Sequence, residues 1–230
     1  MRNSNQNPLE RPISEIIKQR LEDDGKNYFA NDNIHSHIKP GELDLLQKEV
    51  EGKLQGVLES LVINTTRDHN TKETAKRVAK MYCREVFSGR YSRPPRVTDF
   101  PNAKNLDQIY TVGPISIRSC CSHHMAPIMG KCWVGVKPSK RVIGISKFNR
   151  LTDWVFSRPH IQEEAVMILA DEIEKFIKPK GLIVIVKADH YCMKWRGVKE
   201  PDCQMATSVV RGEFRDKPHM KQEFMNLVGL

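Results

Sequence analysis

Apolar residues recur along this chain in two rhythms: every three or four positions near its start, and every second position further on. Ile13, Ile16, Ile17 and Leu21 share one face of a short helix over residues 14–23, which Asp24-Gly25 stops. Residues 27–37 are polar and mixed, with Tyr28 and Phe29 as anchors, and residues 1 to about 12 read as disordered. Residues 1–40 therefore read as an arm without an independent core. After Pro40-Gly41, the side chains of Leu46, Val50, Leu54, Val57, Leu58 and Leu61 form one apolar stripe, with Lys48, Glu51, Lys53 and Glu59 off it. Asn70 with Glu73 three residues on resembles a helix capping arrangement. The helix it opens carries Ala75, Val78, Ala79 and Tyr82 as far as Phe87, and Gly89 suits its C-terminal cap. Pro94, Pro95 and Pro101 make residues 90–105 a loop, which closes a helical region over residues 41–104.

Beyond it the pattern becomes that of strands. Residues 109–118 alternate and carry β-branched side chains; residues 131–136 form a second strand after a turn placed at Gly130. Residues 138–141 turn the chain, and Val142-Ile143-Gly144-Ile145 leads into Ser146, placed as the cap of a helix that points Phe148, Leu151 and Val155 inward. Pro159 separates this helix from one whose apolar face is Ile161, Ala165, Ile168, Leu169, Ile173 and Phe176, ended by Pro179 and Gly181. The run Leu182-Ile183-Val184-Ile185-Val186 predicts a strand that continues to His190 and Cys192. Residues 205–214 read as a last strand and residues 219–228 as a terminal helix. Strand, strand, helix, helix, strand, strand over residues 105–230 predicts an α+β domain: an antiparallel sheet with a helical pair on one face.

With 39% hydrophobic and 28% charged residues among 230, the chain can bury a sizeable core and is not of disordered composition. No apolar run reaches membrane-spanning length, and the polar N-terminus lacks a signal-peptide core, so a cytoplasmic location and reduced thiols are expected for the six cysteines. The formal charge of +9 suits an anionic partner, whether nucleic acid, membrane or a phosphorylated small molecule; charge alone does not choose among them.

Chemistry concentrates in two places. Cys120-Cys121-Ser122-His123-His124 packs two thiols and two imidazoles together, and His190-Tyr191-Cys192 adds one of each. Thiolate and imidazole are the ligands zinc prefers, and three protein ligands with an open position mark a catalytic site. Cys121, His124 and Cys192 would make three, leaving His123 and His190 beside the metal for proton transfer. On a strand, His190 and Cys192 would share a face. Either segment alone could be ornamental, a surface histidine pair or a core thiol; the two together favour a metal. At Ser146 a helix N-terminus offers free N–H groups, and Lys147 and Arg150, three apart, add cations suited to phosphate, although an ordinary capped helix would look the same. Arg77 and Lys80 share a helix face in the same way and read equally well as a solvated basic face. Gln162 and Glu163 open the next helix, where a carboxylate is favoured by the dipole alone.

A family resemblance joins these pieces. Cys121-Ser122-His123-His124, Ser146-Lys147-Phe148-Asn149-Arg150, Arg158-Pro159-His160-Ile161-Gln162-Glu163 and His190-Tyr191-Cys192 followed by Arg196-Gly197 resemble the signature blocks of GTP cyclohydrolase I, and residues 75–82 resemble its upstream helical block. The resemblance spans about residues 70–228, in order. It implies the tunnelling fold, a toroidal homo-oligomer commonly of ten subunits with active sites at subunit interfaces, and conversion of GTP to 7,8-dihydroneopterin triphosphate and formate. It further implies zinc on Cys121, His124 and Cys192, with Gln162 and Glu163 at the guanine and Lys147, Arg150 and Arg196 on the triphosphate, supported by Arg77 and Lys80 from a neighbouring subunit. His123 becomes the acid that protonates the guanine ring nitrogen beside the attacked carbon 8; His190 and Ser146 serve the opening and rearrangement of the ribose. The +9 charge agrees with such a substrate. Three departures stand out: Ser122 replaces a frequent Glu, Cys120 places a second thiol beside Cys121 as an alternative ligand to it, and residues 200–204 do not match closely.

The competing readings fit less of the chain. A zinc nucleobase deaminase needs H-x-E and P-C-x-x-C, and neither occurs. A tunnelling-fold nitrile reductase of deazaguanine metabolism uses a cysteine nucleophile and a nicotinamide cofactor, against which the Cys/His/Cys set argues. A non-catalytic zinc protein binding nucleic acid would need a DNA-reading motif that the chain lacks.

Overall fold

The computed structural model describes residues 11–230, which fall into two compact units that divide between Arg93 and Pro94. In the first unit, helix α1 (Ile13–Asp23) is followed by α2 (Glu42–Ser60), α3 (Thr74–Lys80), a π-type turn (Met81–Val86) and α4 (Ser88–Tyr91). Ile17 and Leu21 of α1 are buried with Ile34, and Ile13, Ile38, Leu46 and Tyr91 pack around them. Arg20 clamps Glu42 at 2.6 Å through both nitrogens and also donates to the His37 carbonyl. The α2 stripe is only partly used. At 19 residues, about 28 Å, α2 outruns its partners α1 and α3, so Val57 and Leu61 remain 53% and 64% exposed. The expected capping arrangement at Asn70 and Glu73 does not form: α3 starts with Glu73 in the cap position and no side-chain cap. Asp68 takes the turn instead, accepting from the Asn70 N–H at 2.9 Å and the Thr71 hydroxyl at 2.8 Å. Gly89 is no helix end either, because the chain makes a further turn through α4 before Ser92 becomes extended.

The second unit is built from β1 (Asp99–Pro101), β2 (Tyr110–Cys121), β3 (Pro127–Lys137), β4 (Arg141–Ile143), α5 (Ile145–Phe156), β5 (Pro159–His160), α6 (Gln162–Ile177), β6 (Gly181–His190), α7 (Tyr191–Lys194), β7 (Met205–Gly212), α8 (Glu213–Asp216) and α9 (Pro218–Val228). β1 pairs with β4, while the main sheet runs β5-β2-β3-β6-β7, antiparallel except where the short β5 lies parallel to β2. This is an α+β architecture with a mixed, mostly antiparallel sheet. Leu182, Val184, Val186 and Ala188 point into the core under α5 and α6, together with Ile115, Ile117, Val134, Phe148, Leu151, Leu169 and Ile173. Ile183 and Ile185 point the other way and are covered by Phe214, Met220 and Phe224 from α8 and α9. Burial on both faces explains why residues 182–186 are apolar without alternation.

Four local expectations need correcting. Gly130 is not in a turn but inside β3, where any Cβ would overlap the Lys187 carbonyl oxygen and approach Ala188 Cβ to 2.5 Å; the hairpin turn lies at residues 122–126. Ser146 does not cap α5, which begins at Ile145 behind Gly144, so Ser146 sits exposed within the first turn. β6 stops at His190, the partner of Ile128, and Cys192 stands on the helical turn α7. β7 ends at Gly212, whose φ of 55° breaks the strand, and Phe214 is buried from α8.

Candidate metal centre

The hairpin of β2 and β3 closes tightly. The Cys121 N–H donates to the Ala126 carbonyl at 2.8 Å and the Met125 N–H to the Cys121 carbonyl at 2.9 Å, with Met125 in the left-handed region at φ 51°. The turn is tied down from outside by the Ser122 N–H, which donates to the His160 carbonyl at 3.0 Å where β5 pairs with the end of β2. This folds His124 back over Cys121, bringing Nδ1 to 3.8 Å from Sγ. Pairing of Ile128 with His190 sets the end of β6 beside the hairpin tip, and α7 then carries Cys192 onto it. The ligand atoms of Cys121, His124 and Cys192 all lie within 4.8 Å of one another. Zinc bonds of about 2.3 Å to sulfur and 2.0–2.1 Å to nitrogen place tetrahedral S and N ligands about 3.6 Å apart, so the observed spacing accepts one ion. Burial and the adjacent Cys121 both push the Cys192 thiol up, while the charge of nearby Arg196 acts against them. Two crowded thiols in this position favour a cation, which relieves the cost of deprotonating them.

Strand alternation decides between the neighbouring cysteines. Cys121 falls with Ile115 and Ile117 in the core beneath α5 and α6. Cys120 points to the opposite side, is 2% exposed, and has its thiol pushed up to about 11, chiefly by burial. It is an inert core thiol and not one of the three clustered donors.

The other expected residues are distributed as follows. His123 is exposed, its ring edge-on to His124 at 6.2 Å. His190 is half-buried, with Nε2 at 2.8 Å from Gln162 Oε1; burial holds it below the ordinary histidine value, and the charges of Glu163 and Asp189 pull the other way. Glu163 therefore stands close enough to His190 for its charge to be felt, exposed on the first turn of α6. Gln162 beside it is 2% exposed and turned inward. Ser146, Lys147 and Arg150 share the first turns of α5, where the Lys147 ammonium donates to the Arg96 carbonyl at 3.3 Å. Arg77 and Lys80 stand on α3 in the first unit, Lys80 at 3.8 Å from Glu85.

Sequence reasoning missed two supports. His160 is buried, donates Nε2–H to the Val155 carbonyl at 2.6 Å and is driven by burial to about 4, so it is neutral and ties the end of α5 to the ligand turn. Thr207, on the edge strand β7, reaches Gln162 at 2.9 Å. Nothing in the spacing of residues 162 and 207 announces that contact.

A family model described as GTP cyclohydrolase I matches residues 50–229, more than three-quarters of the chain. The chain belongs to the GTP cyclohydrolase I family. Among its relatives, GTP cyclohydrolase 1 of Haemophilus ducreyi is 34% identical over 186 residues, 80% of this chain and 85% of that protein. GTP cyclohydrolase 1 of Flavobacterium johnsoniae is 30% identical over 215 residues, 91% and 95% of the two chains. GTP cyclohydrolase 1 of Streptococcus agalactiae is 35% identical over 183 residues, 79% and 97%. The part of the chain matched to the GTP cyclohydrolase I family begins inside α2 and takes in α3 and the second unit to Gly229. Among the described residues no helix is long and apolar enough to cross a membrane.

Proposed function

We propose that the protein converts GTP to 7,8-dihydroneopterin triphosphate and formate at a zinc centre held by Cys121, His124 and Cys192. The observation that carries this reading is the meeting of two thiols and an imidazole, drawn from two distant segments, beside His190 and Glu163. When bound, zinc supplies Lewis acidity and lowers the pKa of coordinated water toward about 7. The chain's own residues do the rest. Glu163 accepts the ring N–H and the exocyclic amine of guanine and so orients carbon 8 toward the thiols. His123 donates a proton to the adjacent ring nitrogen as the imidazole ring is opened. His190, with Ser146, moves protons during opening and rearrangement of the ribose. Lys147, Arg150 and Arg196 neutralise the triphosphate, with Arg77 and Lys80 lent by a neighbouring subunit.

The tunnelling fold, a toroidal homo-oligomer of ten subunits and a cytoplasmic location belong to the same proposal. Supporting self-association, β7 is an edge of the sheet, and Val57 and Leu61 of the stripe along α2 are exposed. Incubating the purified protein with GTP, with and without zinc, and scanning for the ultraviolet signature of a pterin tests the chemistry. No pterin and no formate in the zinc-loaded sample would refute it, and an active monomer by light scattering would refute the assembly.

A further inference from the structure

Gln162 offers its side chain to four groups at once. Its Nε2 lies 3.2 Å from the Val186 carbonyl oxygen, 3.2 Å from the Met205 carbonyl oxygen and 2.9 Å from Thr207 Oγ1, and its Oε1 lies 2.8 Å from His190 Nε2. Backbone carbonyls only accept hydrogen bonds, so the NH₂ end of the amide must face Val186 and Met205, and the oxygen end must face His190. An amide oxygen cannot donate. The hydrogen in the His190 contact therefore sits on Nε2. Gln162 is 2% exposed and braced by two strands, β6 and β7, and turning its amide over would aim Oε1 at the carbonyl oxygens of Val186 and Met205.

We infer that Gln162 is a positioning residue: it fixes the orientation of the His190 ring and keeps the hydrogen of their contact on Nε2. This differs from a role in guanine contact, since both N–H groups of the amide are engaged with protein acceptors, and it leaves base recognition to Glu163. The inference rests on the proposed proton-transfer role of His190.

The test uses the zinc-loaded full chain. Histidine labelled with ¹³C and ¹⁵N and recorded by magic-angle-spinning NMR reports the His190 tautomer directly, its signals assigned by their loss in His190→Asn. The expected result is a ring carrying hydrogen on Nε2 in the neutral form; a ring carrying it on Nδ1, or an even mixture, overturns the inference without need of any Gln162 variant. Gln162→Met keeps the length and removes the amide. Its kcat should fall about 10- to 100-fold, the size typical of losing a residue that orients a working histidine, with KM for GTP within about threefold of the parent and zinc retained. A KM raised tenfold or more at parental kcat would make Gln162 a guanine contact and overturn the inference. So would an unchanged kcat in Gln162→Met when His190→Ala is inactive. If His190→Ala itself turns over GTP at the parental rate, the proton-transfer reading fails first and the inference falls with it.

Discussion

Replacing Glu163 with glutamine removes one charge from the first turn of α6 and almost nothing else, because the side chain is exposed and keeps its shape. Guanine presents two donors on one edge, and a carboxylate accepts both in a charge-assisted pair. The amide keeps one acceptor and turns a donor toward the second guanine donor. Losing one hydrogen bond to a charged group costs about 1.5–3 kcal/mol, so kcat/KM for GTP should drop about 10- to 150-fold. The same substitution removes a negative charge near His190, which in the parent partly offsets the effect of burial on that ring. ATP carries an acceptor where guanine has its ring donor, and a site built to pair polar groups rejects such an analogue by about 10⁴-fold or more. Zinc content should be unchanged, since Glu163 is not among the clustered donors. The competing account makes Glu163 no more than a favourable first-turn charge, worth about 0.3–1 kcal/mol of stability and nothing in nucleotide choice. Steady-state kinetics of parent and variant with GTP and ATP separate the two. Parental GTP kinetics in Glu163→Gln, or ATP turnover comparable with GTP in the parent, would refute the assignment.

Three further outcomes are expected. Cys121→Ala and Cys192→Ala should lose most bound zinc and all turnover, whereas Cys120→Ala should keep both at a stability cost of about 1 kcal/mol; metal analysis showing zinc retained in both ligand variants contradicts the site. Gly130→Ala should destabilise the fold by about 1–3 kcal/mol, because its methyl group must push β3 away from Lys187 and Ala188; an unchanged denaturation midpoint would contradict that packing. The hydrogen bonds from Arg20 hold the Glu42 carboxyl below its ordinary value of 4.5, so the stability it adds is present above that pH and is lost as pH falls through the lowered value. The gap in thermal midpoint between parent and Glu42→Gln should therefore be open at pH 6 and close below pH 4.5; a gap that persists in acid would argue against the pair.

Helices and strands whose burial follows period were legible in the sequence. Phe148, Leu151 and Val155 are each 0% exposed, as their spacing implies, and Leu182-Ile183-Val184-Ile185-Val186 forms the middle of β6. What failed were boundaries set by a few atoms. Ser146 and Asn70 have the right chemistry for caps, but Gly144 and Glu73 hold those positions. Gly130 was legible as a glycine that matters but not as one flattened by the close approach of β6, which no local pattern encodes. The ligand set could be proposed from residue types and resemblance, yet for a partly wrong reason: Cys192 reaches the cluster by a helical turn, not by strand alternation. The Gln162 contacts stayed invisible because they join α6 to β6 and β7 across more than twenty residues each.

The core and the site are set by one register. On β6 the residues Leu182, Val184, Val186 and Ala188 fill the space under α5 and α6, and His190, two positions on, inherits the same side. Val186 also supplies a carbonyl to the Gln162 amide whose oxygen receives His190. Pairing with β3 from Ile128 to Lys137 and with β7 from Met205 to Gly212 leaves the strand no freedom to slide. A slip of one residue would turn Leu182, Val184 and Val186 out of the core and carry His190 to the opposite face, away from both the amide and the thiols. Burying three large or β-branched side chains outweighs any preference of one half-buried ring: each contributes about 1.5–3 kcal/mol, against about 0.5–1.5 kcal/mol net for a hydrogen bond. The burial that holds the sheet in register is therefore also what holds the histidine on its partner, and the amide needs only to set the last degree of freedom, the orientation of the ring.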